Sequence, residues 1–360
     1  MVKKILVVDD SALMRRVICD IIDGDERFQV VDKATNGLEA FDLLSRKQYD
    51  AVVLDVNMPR MTGLELLKEL RKHKIPARIM MASTDTKEGA KTTLDALELG
   101  ALDFIHKPDS AMECRVDSFK NELLRVLNVV ANSRVPAYTA VERARDNKQA
   151  AARMADLAKK VSGKIPGSKI VAIASSTGGP KALHTVIPRL PAGLDAPVLL
   201  VQHMPAGFTT SLAERLNDLS EITVKEAKEG EVLKCGVVYL SKGGAHMNVK
   251  SAAAGKYTIH YTDEPAREGV KPCANYMYES LSDSQFEKIV CVVMTGMGAD
   301  GTEGIKHLEA KKKVHVIAQD QASSIVYGMP KSVVNAGLSD QVVPLDQLAQ
   351  EIVLNIGTKA

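Results

Sequence analysis

The stretch Lys169–Leu183, KIVAIASSTGGPKAL, decides how the longer half of this chain is read. Ile170, Val171, Ala172, Ile173 and Ala174 form an unbroken apolar run, the pattern of a strand buried on both faces of a parallel sheet. Ser175, Ser176, Thr177, Gly178 and Gly179 then supply hydroxyls and two residues without a Cβ. Pro180 suits the first turn of a helix, where its missing N–H would have no partner in any case. The segment predicts strand, turn and helix, with a hydroxyl held beside open backbone N–H groups. Such a place stabilises an oxyanion or binds a phosphate, and the flanking sequence has to decide between them.

Downstream, apolar runs at Val198–Gln202, Val237–Leu240, Tyr257–Tyr261, Ile289–Met294 and Val314–Ile317 continue an alternating α/β pattern. Three strands end in residues with chemistry: Ser176 after the first, His203 in VQHMP after the second, Asp300 in MTGMGADG after the fifth. Each has a plainer reading as a helix cap, a hydrogen-bonded histidine or a turn aspartate before Gly301. Together, just past the carboxyl ends of strands, they are the parts of a nucleophile, base and orienting-acid set. The turn ASSTG approaches the G-x-S-x-G elbow with alanine in first place, although the order Ser, His, Asp differs from that of the hydrolases that use the elbow. A rival reading comes from Gly296, Gly298 and Gly301, which spell GxGxxG after a strand, with Asp320 near the spacing of a ribose-binding acid. That dinucleotide reading places the fingerprint late in its domain and leaves Ser176 and His203 without a role.

Upstream, strand-like runs at Ile5–Val8, Val30–Lys33, Ala51–Leu54, Arg78–Ala82 and Asp103–His106 alternate with amphipathic stretches such as Ala12–Ile22, Gly37–Arg46 and Gly63–Lys72. A doubly wound sheet places its ligand site beyond the strands' carboxyl ends. Those ends carry Asp9 and Asp10, then Asp55, then Ser83 and Thr84, then Lys107 with Pro108. Three carboxylates in one crevice repel unless a hard cation sits among them, and oxygen ligands favour Mg²⁺. Asp55 can then act as nucleophile toward a phosphoryl group whose oxygens Ser83 and Lys107 bind.

The 360 residues, 45% apolar and 26% charged, suffice for two or three domains with their own cores. No window is long and apolar enough to span a membrane and the MVKK start is no secretory signal, so the expected location is cytoplasmic. Five scattered cysteines suggest reduced thiols, with neither a disulfide framework nor a zinc site. Residues 129–168 hold 8 Lys/Arg against 3 Asp/Glu, but with one aromatic, Tyr138, they read as a linker containing a short helix at ARMADLAKKV rather than a nucleic-acid surface. The expected architecture is α/β: a doubly wound, mostly parallel domain over residues 1–128, a linker over 129–168 and a second such domain over 169–360.

ILVVDDS, LDVNMPRMTG and FIHKP resemble the blocks of a response-regulator receiver domain, a flavodoxin-like fold. The resemblance implies Asp55 as the phosphorylated residue and Asp10, Asp55 and the carbonyl of Asn57 as Mg²⁺ ligands. It further implies Asp9 acting through water and Phe104 as the aromatic switch. Thr84 stands where many receivers have alanine and is expected to slow phosphotransfer or dephosphorylation. AIASSTGGP, VQHMPAGFT, VMTGMGADG and AQDQASSIVYGMP resemble the methylesterase domain of chemotaxis response regulators, the CheB family. This second resemblance implies Ser176 as nucleophile, His203 as base, Asp300 as orienting acid and the Met297 N–H as an oxyanion donor. Its implied substrate is a glutamyl methyl ester on a chemoreceptor, with glutamine deamidation as a companion reaction and no cofactor for the esterase step. The implied phosphodonor is a chemotaxis histidine kinase, with no nucleic-acid partner, no membrane insertion, and a receiver that covers the Ser176 crevice until Asp55 is phosphorylated.

Ala174 and Ser175 stand where that family usually has Gly-Ala, Lys242 where it commonly has proline, and Cys273 and Asn275 where Ser and Asp are usual. The blocks YLSKGGAHM and KPCANYM, which carry Lys242 and then Cys273 and Asn275, are expected to line the substrate approach. The alternatives to an esterase are a receiver-controlled dinucleotide-binding domain and a receptor adaptor with an idle triad.

Overall fold

In a computed structural model of the chain, residues 2–84, 87–108, 117–133, 153–154, 156–157 and 167–358 are described. They fall into two compact units, residues 1–140 and 141–360. Most of the expected linker lies outside the described residues, as does the side chain of Thr84; of ARMADLAKKV only Arg153, Met154, Asp156 and Leu157 are described, and all four are helical.

The first unit is a five-stranded sheet in the order β2-β1-β3-β4-β5, formed by Lys3–Val8, Phe28–Ala34, Ala51–Asp55, Ile79–Thr84 and Asp103–Lys107 in chain order as β1 to β5. Every ladder is parallel. The central strand β3 is buried at all five positions, as its run AVVLD foretold. The helix Gly63–Lys72 starts with a capping box in which Thr62 and Glu65 satisfy one another's backbone N–H groups. Gly63 is required there, because a Cβ would run into the Asp55 carbonyl. The helix after β5, Asp117–Asn132, runs four residues past the expected domain boundary at 128.

The second unit carries a seven-stranded parallel sheet in the order β14-β13-β12-β6-β7-β9-β8. Its strands are Lys169–Ser175 (β6), Val198–Gln202 (β7), Thr223–Glu226 (β8), Val237–Leu240 (β9), Lys288–Val293 (β12), Val314–Gln319 (β13) and Gln341–Val343 (β14). All seven residues of β6 are buried, and full burial of side chains such as Ile170 and Ile173 contributes about 1.5–3 kcal/mol each. The expected strand at Tyr257–Tyr261 exists but belongs elsewhere: Tyr257–Thr262 (β11) pairs antiparallel with His246–Ser251 (β10) in a separate ribbon. Its side chains are half-buried at every position but Ile259, which distinguishes it from the continuously buried sheet strands. The strands β8, β10 and β14 escaped prediction because they are short or polar on one side.

The sheet order places β6 between β7 and β12, the point where the chain's winding reverses, and ligand crevices in such sheets open there at the strands' carboxyl ends. Among the described residues no helix is long and apolar enough to cross a membrane, and the described cysteines are free thiols.

Candidate active site

Ser176 is the first residue beyond β6, and its position is held by backbone: its N–H donates to the Thr295 carbonyl at 3.0 Å and its carbonyl accepts from Gly179 N–H at 2.6 Å. Gly178 turns the chain with φ +76°, a left-handed conformation that glycine adopts without strain. The register aligns Ser175 with Gln202 on β7, so Ser176 and His203 leave neighbouring strands at the same level, and His203 N–H donates to the Ser175 carbonyl at 3.1 Å.

Gln202, 2% exposed, joins these two strand ends. Its Nε2 donates to the Ser176 and His203 carbonyls, both at 3.1 Å, while its Oε1 accepts from Ser175 Oγ at 2.7 Å. Both amide hydrogens and the amide oxygen are therefore used, which fixes a buried group whose orientation would otherwise be free to flip. Ser175, read from sequence only as an extra hydroxyl beside the nucleophile, thus serves the frame rather than the crevice.

On the other side, His203 Nε2 lies 2.7 Å from Asp300 Oδ2, with the two side chains 9% and 3% exposed. Asp300 is surrounded by donors. Oδ2 also accepts from Ala274 N–H at 2.6 Å, and Oδ1 accepts from Asn275 N–H at 2.9 Å and the Cys273 thiol at 3.0 Å. Burial opposes ionisation of this carboxyl, but the hydrogen bonds from His203, Cys273 and Ala274 outweigh it and hold its pKa below the ordinary aspartate value. An ionised Asp300 requires the proton on His203 Nε2, which leaves Nδ1 as the basic nitrogen. That Nδ1 is buried with no hydrogen-bond partner among the described residues. The Ser176 hydroxyl makes no hydrogen bond to it.

Met297, the expected oxyanion donor, is half-buried, and its N–H has no acceptor among the described residues. Gly296 beside it must lack a side chain, because a Cβ would come within 2.7 Å of Ser176 Cβ. Of the GxGxxG glycines, Gly296 is thus required beside Ser176, and Gly301, at φ +98°, opens the helix Thr302–Glu309 against Tyr278. Asp320, the would-be ribose acid, is bound by the N–H and hydroxyl of Ser323 at 2.9 and 2.5 Å.

Two expectations need correction. Cys273 and Asn275 do not line an approach path; both are fully buried and grip Asp300. Asn275 Oδ1 additionally accepts from Gly301 and Gly304 N–H at 3.0 and 2.7 Å, fastening the loop that carries Asp300. Only their position just after Pro272 was visible in sequence, and that does not reveal which loop the segment faces.

In the first unit, one carboxylate oxygen from each of Asp9, Asp10 and Asp55 lies within 4.8 Å of the others, a donor set that fits a hard divalent cation. Lys107 Nζ sits 2.7 Å from Asp55 Oδ1 and 3.1 Å from Asp9 Oδ2. Burial pushes the Asp55 carboxyl above its ordinary value, against the pull of Lys107 and with the Asp9 charge adding to the rise. Burial works against the Lys107 ammonium, yet Asp55 and Asp9 outweigh it and raise its pKa. Ser83 is buried at the end of β4, and Phe104 is 7% exposed on β5. Asn57 lies in the exposed turn after β3.

Residues 171–352 match the CheB methylesterase family and residues 5–115 the response regulator receiver domain family. A protein-glutamate methylesterase/protein-glutamine glutaminase of Syntrophomonas wolfei is 43% identical over 97% of this chain and 98% of its own length, and one of Bacillus subtilis is 39% identical over 97% of both. The crystal structure of the Thermotoga maritima CheB methylesterase catalytic domain superposes with a TM-score of 0.51 at 40% identity, covering 52% of this chain and 99% of that one. With both family matches in order along the chain and full-length relatives at this identity, the chain belongs to the CheB methylesterase family and carries a receiver domain ahead of the esterase domain.

Proposed function

We propose that this chain hydrolyses glutamyl methyl esters on chemoreceptors, and also deamidates receptor glutamines, with Ser176 as nucleophile. The observation that carries the reading is the His203–Asp300 pair, 2.7 Å apart, beside a serine held at the neighbouring strand end. Rotation of the Ser176 side chain brings its hydroxyl to His203 Nδ1, which takes the proton as Oγ attacks the ester carbonyl. Asp300 keeps the proton on Nε2 and stabilises the imidazolium that forms. The tetrahedral oxyanion is received by the Met297 N–H, which needs no reorganisation because it has no other acceptor. Methanol leaves with the proton from Nδ1, and water, deprotonated by the same nitrogen, hydrolyses the acyl enzyme. A side-chain amide enters the same sequence with ammonia as leaving group. No cofactor is required for any of these steps.

Control is assigned to Asp55 as phosphoacceptor for a chemotaxis histidine kinase in the cytoplasm. Asp10 and Asp55, with the Asn57 carbonyl, would hold Mg²⁺, and Asp9 would act through a water. When bound, the ion offsets the clustered negative charge and supports phosphoryl transfer. Ser83 and Lys107 bind the phosphoryl oxygens, and Phe104 reports the change to the surface. The domain limits 1–128, 129–168 and 169–360 are proposed on the same footing, with the helix ending at Asn132 moving the first limit slightly outward. A dinucleotide site finds no support where Asp320 is engaged by Ser323.

The deciding experiment is methanol release from methylated receptor by the full chain and by Ser176→Ala. The variant is expected to lose at least about 10³-fold in rate, and equal rates would refute the nucleophile and leave an adaptor. Acetyl phosphate with Mg²⁺ is expected to raise the wild-type rate but not that of Asp55→Ala.

A further inference from the structure

Asp300 can orient His203 only if its own carboxylate is prevented from turning, since the terminal torsion of an aspartate is broad and roughly two-fold. Three donors besides His203 oppose that rotation. Two are backbone N–H groups of Ala274 and Asn275; the third is the thiol of Cys273 on Oδ1 at 3.0 Å. Each carboxylate oxygen thereby has two donors, and Oδ2 is left facing His203 Nε2. Cys273 itself is tethered: its N–H donates to His246 Nδ1 at 3.1 Å, and His246 Nε2 donates to the carbonyls of Glu264 and Pro265 at 3.1 and 3.2 Å. His246 and Cys273 are fully buried. Burial and the adjacent Asp300 charge push the thiol's pKa up, so it remains a donor rather than competing as a thiolate.

We infer that Cys273 is a positioning residue for the esterase reaction, its thiol locking the Asp300 carboxylate so that one oxygen stays aligned with His203 Nε2, and His246 holding Cys273 in place to do so. This rests on the reading of Ser176, His203 and Asp300 as the esterase set. The bland alternative is a small buried side chain that merely fills space. A hydroxyl at this position would do the same job as the thiol; a methyl would fill most of the volume and donate nothing.

The test uses the full-length chain and two variants, Cys273→Ala and Cys273→Ser, with methanol release from methylated receptor and the downfield proton resonance of the His203–Asp300 hydrogen bond as readouts. Cys273→Ala is expected to lose on the order of tenfold in kcat with KM unchanged, because the interaction acts on the base and not on substrate binding. The His203 resonance shifts in the same variant, and Cys273→Ser restores both. Wild-type kcat and an unmoved resonance in Cys273→Ala would overturn the inference. So would a kcat loss that only tracks the folded fraction measured by circular dichroism, with the resonance of the folded fraction unmoved. Failure of the underlying esterase reading shows up separately, as undiminished methanol release from Ser176→Ala.

Discussion

The two sheets of this chain solve opposite electrostatic problems at equivalent places. At the carboxyl ends of the first sheet, Asp9, Asp10 and Asp55 crowd together with Lys107 as their cation, and the buried Asp55 carboxyl is pushed toward its neutral form. At the carboxyl ends of the second, a single buried carboxylate, Asp300, is surrounded by four donors from its own chain and held ionised. In the function proposed above, the first arrangement would be completed from outside, by an ion and a phosphoryl group, which suits it to being switched. The second is preorganised, so nothing needs to reorganise when charge develops on His203.

The largest test of that contrast is Asp300→Asn, which keeps the shape but presents an amide to His203 and favours the wrong tautomer. A loss of about 10⁴-fold in kcat is expected in the methanol-release assay, and a loss under tenfold would mean that the site is not preorganised through this residue. Next is Gln202→Leu, which frees the carbonyls of Ser176 and His203 from their common donor. Displacing the two strand ends by about 1 Å is expected to cost about 10²-fold in kcat, while unaltered kinetics would reduce the clamp to ordinary packing.

The remaining tests concern the incomplete site. Mg²⁺ at ten times its dissociation constant is expected to stabilise the first unit by about 1.4 kcal/mol, read as a shift in its thermal transition, and Asp10→Asn should abolish the shift. Asp55→Asn, without added metal, is expected to raise the thermal transition of that unit at pH 7. The sign follows from its raised folded-state pKa: the folded form holds the Asp55 proton more tightly than the unfolded chain, so ionisation costs stability above that value and the cost disappears as pH falls through it. Asp300 has the opposite sign. Its depressed pKa contributes stability that is complete above the unfolded value near 3.8 and is lost as pH falls through the folded one, so acid titration of Asp300→Asn should lack that loss.

Much of this was readable from residues alone. The apolar runs located ten of the sheet strands because strands buried on both faces have little freedom in composition. The strand ends then delivered Ser176, His203, Asp300, Asp55 and their neighbours, since a parallel sheet brings its carboxyl ends to one edge whatever the connections between them. The ribbon strand at Tyr257–Thr262 was found but assigned to the wrong sheet, because a strand's partner is chosen by packing and not by its own pattern.

What the linear order of residues determined by itself is the repeated α/β plan, the identity of the chemical groups and the family to which they belong. Tertiary structure alone decided that Cys273 and Asn275 hold a carboxylate instead of facing a substrate, that Gln202 and Ser175 fasten two strand ends, and that Nδ1 rather than Nε2 of His203 is the open nitrogen. The reason is physical: periodicity and composition report which groups are buried or placed at an edge, but a buried hydrogen bond depends on which segments, often a hundred residues apart, are packed face to face.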